Sequence, residues 1–275
     1  MKRQTPVERL ADYVRSRYDT TTVFDNLVSN LLLEEQRQLK TKNSMRILHI
    51  SDTHGFHNDF PASTWEGIDV VVHSGDCSNW LDTFRNIPEV VNFLNWYELV
   101  PVKHKIYVAG NHDSSIERGK ITKKDFEDRG IIYLENEEVV IDGIKFYGSP
   151  ITPTFGQWCF MKDRAKTHEV WAKIPDDTDV LIVHGPPKGV RDLSFDRHGQ
   201  LEFCGDLSLT KRCWALKDTL KLVCFGHIHN MDGVDTNQGV STYSRTKTVF
   251  SNAACVYDGR FDKGLTSFGN VLQIQ

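Results

Sequence analysis

The chain has 275 residues, 39% of them hydrophobic and 25% charged, which is the composition of a globular protein with room for one large domain or two small ones. A formal net charge of −4 argues against a broadly basic nucleic-acid-binding surface, although a local basic patch is compatible with that total. No apolar stretch approaches the roughly 20 residues that span a bilayer, and no apolar secretory core follows the charged N-terminus. We therefore expect a cytoplasmic protein that makes no membrane contact.

Cysteine spacing predicts free thiols. The six cysteines are far apart and none forms a C-x-x-C pair, so the sequence indicates neither a disulfide framework nor a thiolate zinc site. Cys224 lies inside an apolar run and is predicted to be a core residue. The other five are Cys77, Cys159, Cys204, Cys213 and Cys255.

The first 44 residues are predicted to form a helical extension. Apolar residues between Val7 and Leu32 recur with the spacing of a helix face, and a polar linker follows. The catalytic domain is therefore predicted to cover residues 45–275. The apolar faces are short, which favours an extension packed on that domain over a helix that forms a homo-oligomer or binds a partner.

From Met45 onward, short apolar runs alternate with polar loops, which predicts strands separated by helices. The predicted strands cover residues 46–50, 69–73, 105–108, 131–134, 138–141, 145–147, 180–183, 222–225, 248–251 and 270–274. The predicted helices cover residues 88–97, 123–129, 164–172 and 209–217. This order favours an α/β architecture, with an antiparallel hairpin that turns at Asp142-Gly143.

Polar residues that can bind metals follow five of the apolar runs, each time at the carboxyl end. In chain order these loops are Asp52-Thr-His54, Gly75-Asp76, Gly110-Asn-His-Asp113, His184-Gly-Pro-Pro187 and Gly226-His-Ile-His229. The carboxyl ends of strands in α/β sheets open on a common rim where ligands bind, and the glycines permit tight turns there. One Asp-x-His would be weak evidence, but five loops of related design indicate a single site.

The side chains in these loops indicate a site for two divalent cations. They offer carboxylate, amide and imidazole ligands without a thiolate, a set that suits manganese, iron or zinc. Seven ligands are too many for one ion, whereas two ions about 3.5–4 Å apart that share a carboxylate would use them all. The predicted ligands are Asp52, His54, Asp76, Asn111, His184, His227 and His229. His112 is left beside the metals as a candidate proton donor to a leaving group.

Each residue also has a plain structural interpretation. Asp52 alone would be a turn residue as readily as a ligand, Asn111 alone would form an Asx turn, and Pro186-Pro187 is interpreted as a rigid loop. Against this stands the concentration of histidine, because five of the 11 histidines fall in the five loops. Scattered core histidines would not give that concentration.

The other six histidines are not predicted ligands. His49 and His73 lie inside apolar runs and are expected to be hydrogen-bonded core residues. The remaining four are expected at the surface or in support of the site, namely His57, His104, His168 and His198.

The ordered set D-x-H, GD, GNH-D, H and G-H-x-H resembles the calcineurin-like metallophosphoesterases, from about Met45 to the C-terminus. Gly148-Ser-Pro-Ile-Thr-Pro153 with Trp158, and His184-Gly-Pro-Pro187, are similar to the branch that contains the vertebrate MPPED proteins and their microbial and viral relatives. The resemblance implies a four-layer α/β/β/α sandwich of two mixed β-sheets. It also implies a competent enzyme, because the G-H-x-H motif is intact.

The resemblance further implies how the ligands divide between two metals. One metal would bind Asp52, His54, Asp76 and His229, and the other would bind Asp76, Asn111, His184 and His227. His112 would be the proton donor or would stabilise the leaving group, with Asp113 orienting it. The cations would lower the pKa of a shared water, and the hydroxide would attack phosphorus in line.

The sequence says less about the substrate. The loop at 188–205 follows a predicted ligand and is rich in charge, so Arg191, Arg197 and His198 are candidate substrate-binding residues. Phe155 or Trp158 is a candidate for stacking on a base, with core packing as an equal alternative.

The predicted activity is that of a phosphodiesterase for small, nucleotide-type substrates such as cyclic nucleotides. The alternatives are a phosphomonoesterase or nucleotidase, a nuclease, and a non-catalytic scaffold. A protein serine/threonine phosphatase is disfavoured, because it would carry Gly-Asp-x-x-Asp-Arg-Gly where Cys77-Ser-Asn-Trp80 follows Asp76 here.

Overall fold

The computed structural model describes residues 44–243, 246–258 and 263–275. Apart from Ser44, the predicted helical extension lies outside these residues and stays a prediction, as does its boundary with the catalytic domain. Among the described residues, no helix has both the length and the apolar character needed to cross a membrane.

Two large sheets form the centre of the fold, and their strands are numbered in chain order. The strands are β1 Met45–Ile50, β2 Val70–His73, β3 His104–Tyr107, β4 Ile131–Tyr133, β5 Glu137–Ile141, β6 Ile144–Ser149, β7 Thr152–Pro153, β8 Met161–Lys162, β9 Val180–Val183, β10 Leu193–Phe195, β11 Leu201–Phe203, β12 Leu222–Phe225, β13 Gly239–Thr242, β14 Val249–Asn252 and β15 Asn270–Ile274. The first sheet has the order β15-β1-β2-β3-β4, in which β1 to β4 are parallel. The second has the order β13-β14-β12-β9-β6-β5, with parallel strands at its centre and antiparallel strands at both edges.

Helices cover the outer faces of the sheets. They are α1 Thr83–Leu99, α2 Ser114–Glu117, α3 Lys123–Glu127, α4 Thr167–Trp171 and α5 Leu207–Ala215, with 3-10 turns at His57–Asp59 and Ala62–Trp65. Phe93 and Tyr97 of α1 pack into the core of the first sheet, and Trp171 and Leu209 pack into the core of the second. The layers are therefore helix, sheet, sheet and helix, which confirms the predicted fold class.

The predicted elements differ from the observed ones at places where the local signal is weak. Helix α1 begins at Thr83 rather than at Pro88, because the Asp82 side chain caps it by accepting a hydrogen bond from the Arg85 amide. The hairpin of β10 and β11 was predicted as a charged loop, and β13 was not predicted. The turn at Asp142-Gly143 is confirmed, since both residues have positive φ, +49° and +84°.

His49 and His73 are hydrogen-bonded core residues, as predicted, and their bonds link the two sheets and the first loops. His49 of β1 hydrogen-bonds through Nδ1 to Ser251 of the second sheet (2.8 Å) and through Nε2 to Ser74 (2.9 Å). His73 accepts the Gly75 amide at Nδ1 (3.2 Å), so its Nε2–H faces Thr53 (3.0 Å). Burial lowers the pKa of both histidines to about 3, so both stay neutral.

The structure also tests the predictions for the cysteines and for three of the histidines outside the five loops. All six cysteines lie in the described residues and are free, as expected. His168 and His198 are exposed. His57 is not at the surface, because its side chain is buried beside Phe93 and bonded to Asn92 (2.8 Å), and it lies outside the three groups of potential ligands found among the described residues.

Acid is expected to destabilise the fold through His49 and His73. Their folded pKa of about 3 lies below the ordinary 6.5, so the unfolded chain binds more protons between these values and stability falls as the pH drops below 6.5. Each histidine contributes about 1.4 kcal/mol per pH unit. Urea unfolding between pH 7.5 and 4.5 measures the slope, which His49→Gln should make shallower. His168→Gln, on the exposed face of α4, serves as the control, and an equal change in both variants contradicts the assignment.

Candidate metal centre

The five motif loops meet at one rim, where the carboxyl ends of strands from both sheets come together. The loops after β1, β2 and β3 come from the first sheet, and those after β9 and β12 come from the second. Three overlapping groups of potential ligand atoms lie there, each group within 4.8 Å. They are Asp52 with His54 and His229, His54 with Asp76 and His112, and Asp76 with His184 and His227. The structure thus brings together six of the seven predicted ligands and His112.

The seventh predicted ligand joins the last of these groups. Asn111 is buried, and its Oδ1 lies 2.9 Å from Nε2 of His184. The same nitrogen lies 3.2 Å from Asp76 Oδ2. On the other side, His229 Nε2 lies 3.0 Å from Asp52 Oδ1, and His54 Nε2 lies 4.0 Å from it. Asp76 therefore lies between the two ends of the cluster.

Backbone carbonyls aim the ring nitrogens of three histidines into the cluster. Nδ1 of His54 donates to the Ser78 carbonyl (3.0 Å), and Nδ1 of His184 donates to the Ser74 carbonyl (2.9 Å). Nδ1 of His112 donates to the Asn79 carbonyl (2.8 Å). A carbonyl accepts only, so Nδ1 carries a proton in each ring and Nε2 faces the cluster. This outer contact is the one that fixes the tautomer of metal-binding histidines in proteins.

Four cluster residues hold a backbone conformation that side chains rarely adopt. Asp52, His54, Asp76 and His227 have φ of 50°, 42°, 57° and 66°. This left-handed region is unfavourable for residues other than glycine, and such strain concentrates at functional sites. Hydrogen bonds hold it: the Asp52 amide donates to the Gly75 carbonyl (2.9 Å), and the His54 amide donates to the Asp76 carbonyl (3.1 Å).

Glycines allow the loops to approach the cluster closely. A Cβ on Gly110 would collide with Asp76 and lie 2.7 Å from the His184 ring, and a Cβ on Gly226 would collide with Asp52. A Cβ on Gly75 would lie 2.5 Å from His184 Nδ1. The glycines thus leave room for the loops to meet. The carboxylates, the amide and the oriented imidazoles form a donor set that suits divalent cations.

The buried carboxylates attract positive charge. Burial alone would raise the pKa of Asp52 and Asp76. The charge interactions of Asp52 with His229 and of Asp76 with His184 outweigh burial, so both pKa values are lowered. Conversely, burial would lower the pKa of His184, yet Asp76 raises it to about 9. Burial lowers the pKa of His54 to about 3. Two carboxylates, two neutral imidazoles (His54 and His227) and two imidazoles that hold protons (His184 and His229) thus converge on a small volume, where bound cations would displace those protons.

Asp113 has a different role from the predicted one. The His112 ring is hydrogen-bonded to the Asn79 carbonyl and not to Asp113. The Asp113 carboxylate accepts hydrogen bonds from the Tyr107 hydroxyl (2.6 Å), the Gly110 amide (2.7 Å) and the Asp76 amide (3.1 Å). Asp113 therefore braces the second and third loops against each other, and the Asn79 carbonyl is the group that orients His112.

Sequence reasoning missed Asn86, which is fully buried in α1 and supports His112. Its Nδ2 donates to the Trp80 carbonyl (2.7 Å) and to the His112 carbonyl (2.9 Å). Asn86 thereby ties the chain around Asn79 to the chain at His112. This keeps the Asn79 carbonyl within hydrogen-bond distance of the His112 ring. The motif gives no signal for this contact, because the partners lie 26 residues apart.

The predicted substrate-binding residues lie elsewhere. Arg191 donates to the Ser241 hydroxyl (2.6 Å) and to the backbone carbonyls of Thr236 (2.8 Å), Gln238 (2.7 Å) and Val240. Arg197 and His198 are exposed in the turn between β10 and β11. A cavity opens on the cluster, and none of these three residues lines it. For Arg191 the reason is physical, since its guanidinium is already occupied by the chain at 236–241.

A cavity of about 340 Å³ opens on the cluster. His54, Asp76, Asn111, His112, His227 and His229 all line it. Two aromatic side chains also line it: Trp158, whose ring centroid lies 4.5 Å from that of His112, and Phe155, whose ring centroid lies 5.1 Å from that of His227. The cavity therefore gives a small molecule access to at least one residue of each of the three ligand groups.

Comparison with known proteins agrees with this geometry. The sequence profile of the family described as calcineurin-like phosphoesterase matches residues 45–231, a span that contains all five loops. The chain belongs to the calcineurin-like phosphoesterase family. Residues in that match hold clusters of His and Asp that can bind divalent metals.

Several relatives cover most of this chain. Metallophosphoesterase domain-containing protein 1 of Homo sapiens is 32% identical over 72% of this chain and 64% of that protein. A UPF0046 protein of Caenorhabditis elegans is 31% identical over 78% of this chain and 76% of that protein. A solved crystal structure with 14% identity has a TM-score of 0.58 over 84% of this chain and 99% of its own, a likeness of fold alone.

One further relative has a name of a different kind. The probable rhamnogalacturonate lyase C of Emericella nidulans is 30% identical over 82% of this chain, but the match covers 20% of that protein. The chain thus spans a fifth of that protein and about two thirds of the human one. The lyase name belongs to the Emericella nidulans protein and gives no activity to this chain.

Metal binding is expected to be lost in Gly110→Ala, because the new methyl group would collide with Asp76 and crowd His184. The measurement is the metal content of the protein after incubation with manganese. Gly130→Ala is the matched control, since its φ is +66° and a methyl group there meets nothing within 4 Å. That variant should lose about 1 kcal/mol of stability and keep its metal. Equal metal content in the two variants would show that Gly110 does not shape a metal site.

Proposed function

We propose that this protein is a metal-dependent phosphodiesterase that hydrolyses small, nucleotide-type phosphodiesters. The observation that carries the proposal is the convergence of seven oxygen and imidazole donors from both sheets, five of which line the same cavity as His112. Membership of the calcineurin-like phosphoesterase family supports phosphoester hydrolysis. The modest cavity volume, about 340 Å³, favours a small substrate over a protein.

Two divalent cations fit the overlapping groups. Asp52, His54 and His229 would hold one ion, Asn111, His184 and His227 would hold the other, and Asp76 would contact both. Manganese, iron or zinc suits such nitrogen and oxygen ligands. When bound, the pair would supply an activated water and neutralise charge on the phosphate oxygens.

His112 is suited to protonate the leaving group. Its Nδ1–H stays on the Asn79 carbonyl in both the neutral and the protonated ring, so Nε2 is the atom that gains and loses the proton. Nε2 lies 4.0 Å from Asp76 Oδ2, and the His112 amide donates to Asp76 Oδ1 (2.8 Å). The ring can therefore deliver a proton to an ester oxygen beside the cations without moving its anchor.

The aromatic walls support a nucleotide-type ester. Trp158 and Phe155 flank the cluster on the sides of His112 and His227, where a planar ring of the substrate can stack. Cyclic nucleotides are one class that fits this description. A long nucleic acid is less suited, because Asp258 adds a further negative charge to the cavity wall.

Turnover of bis-p-nitrophenyl phosphate is expected with manganese and is expected to disappear with a chelator. Asp76→Asn should abolish turnover and lower the metal content, since one carboxylate serves both ions. Asp142→Asn, in the hairpin turn of the second sheet, is the matched control and should behave as the wild type. Full activity of Asp76→Asn, or of chelated protein freed of metal, would refute the proposal.

His112→Ala is expected to retain its metal and to lose activity in proportion to the basicity of the leaving group. General-acid catalysis contributes roughly 10²–10⁴-fold, and a good leaving group such as p-nitrophenolate needs least of it. The ratio of kcat for a p-nitrophenyl ester and an alkyl ester of the same phosphate, with His168→Ala as control, measures this dependence. A loss of equal size on both esters would assign His112 a structural part instead.

A further inference from the structure

A second, larger cavity of about 520 Å³ adjoins the one at the cluster. The two share part of their walls, namely Phe155, Ser194, His227 and Ile228. The second cavity is therefore the immediate neighbour of the first, and one set of side chains separates or joins a ligand at the cluster and a ligand in the second cavity.

Two cations line the second cavity. Arg164 is anchored by hydrogen bonds from Nη1 to the Gly205 carbonyl (2.8 Å) and from Nη2 to the Cys204 carbonyl (3.1 Å). Lys188 follows the rigid Pro186-Pro187 segment, and its amide donates to the Asp206 carbonyl (3.1 Å). Among the described residues, neither side chain has an acidic partner within 4.0 Å, and Glu202 is the one acidic residue in the wall.

Aromatic rings line the same cavity and remain open to solvent. Phe155, Phe195 and Phe203 are 52%, 43% and 51% exposed. Phe195 and Phe203 come from the hairpin of β10 and β11, whose two strands contain no buried residue. Exposed rings beside unpaired cations match a ligand that combines a planar ring with an anionic group.

We propose that the second cavity binds the ring and a second anionic group of a substrate whose scissile phosphate lies at the cluster. The substrate class is thus a nucleotide with two phosphoryl groups, such as a nucleoside diphosphate ester or a dinucleotide. This inference rests on the proposed phosphodiesterase function. A cyclic mononucleotide has one phosphate and would leave Lys188 and Arg164 without an anion.

The test compares ADP with AMP as competitive inhibitors of bis-p-nitrophenyl phosphate hydrolysis at saturating manganese. We expect ADP to bind the wild type about tenfold more tightly than AMP, and Lys188→Ala to reduce that ratio to about one. Lys188→Arg, which restores the charge, should restore the ratio. Lys211→Ala, on the exposed face of α5 and outside both cavities, is the control and should keep the wild-type ratio. Chelation of manganese in solution is the same for all variants, so the difference between them reports the cavity.

The outcomes separate the two proposals. Equal inhibition by ADP and AMP in the wild type, or a ratio that Lys188→Ala leaves unchanged, overturns the second cavity as an anion subsite. If bis-p-nitrophenyl phosphate is not hydrolysed at all, the phosphodiesterase proposal fails. Calorimetric titration of the manganese-loaded proteins with ADP and AMP then gives the same ratio of affinities, and decides the subsite by the same criterion.

Discussion

Burial of two carboxylates at one rim is the constraint on which the rest of this structure depends. Asp52 and Asp76 are 0% and 2% exposed, and an isolated charge in that position would cost far more than a folded protein can spare. The chain meets the cost with backbone amides and imidazoles. Asp52 accepts the His227 amide (2.9 Å) and faces His229, while Asp76 accepts the His112 amide (2.8 Å) and faces His184. The partners of each carboxylate come from loops other than its own, and both carboxylates have a partner from the second sheet, so they cannot be satisfied until both sheets have assembled.

The same contacts hold the strained backbone. Left-handed conformations at Asp52, His54, Asp76 and His227 cost of order 1–3 kcal/mol each. A local turn could not sustain that strain, because its own hydrogen bonds are too few. The His49 bridge to Ser251 and Ser74 fixes the spacing of the two sheets directly beneath the rim. The buried strands thus provide the rigid frame on which the loops are held in an unfavourable shape, which is what a preorganised site requires.

The sequence predicts the parts of this arrangement that are local. Val180–Val183 and Leu222–Phe225 are buried on both faces and therefore read as unbroken apolar runs with exact bounds. The polar residues that follow such runs could be assigned to one rim, because parallel strands end on the same side. Contacts between distant segments left no such signal. Nothing near Asn86 indicates that it will reach His112, and the charge on Arg191 does not indicate that the carbonyls at 236–240 will occupy it.

The exposed walls of the two cavities are built differently from the cluster. The predicted ligands follow the ends of central strands, whereas Phe155, Phe195, Phe203 and Lys188 lie on the connections and on a two-stranded hairpin outside both large sheets. Arg191 joins the root of that hairpin to the chain at 236–241, so the wall is held at one end while its aromatic side chains stay exposed. Substitutions in such a wall change contacts with a ligand without disturbing the buried carboxylates, because the two share few hydrogen bonds. Changes in the hairpin alone can therefore alter the walls of the cavities while the buried cluster stays the same.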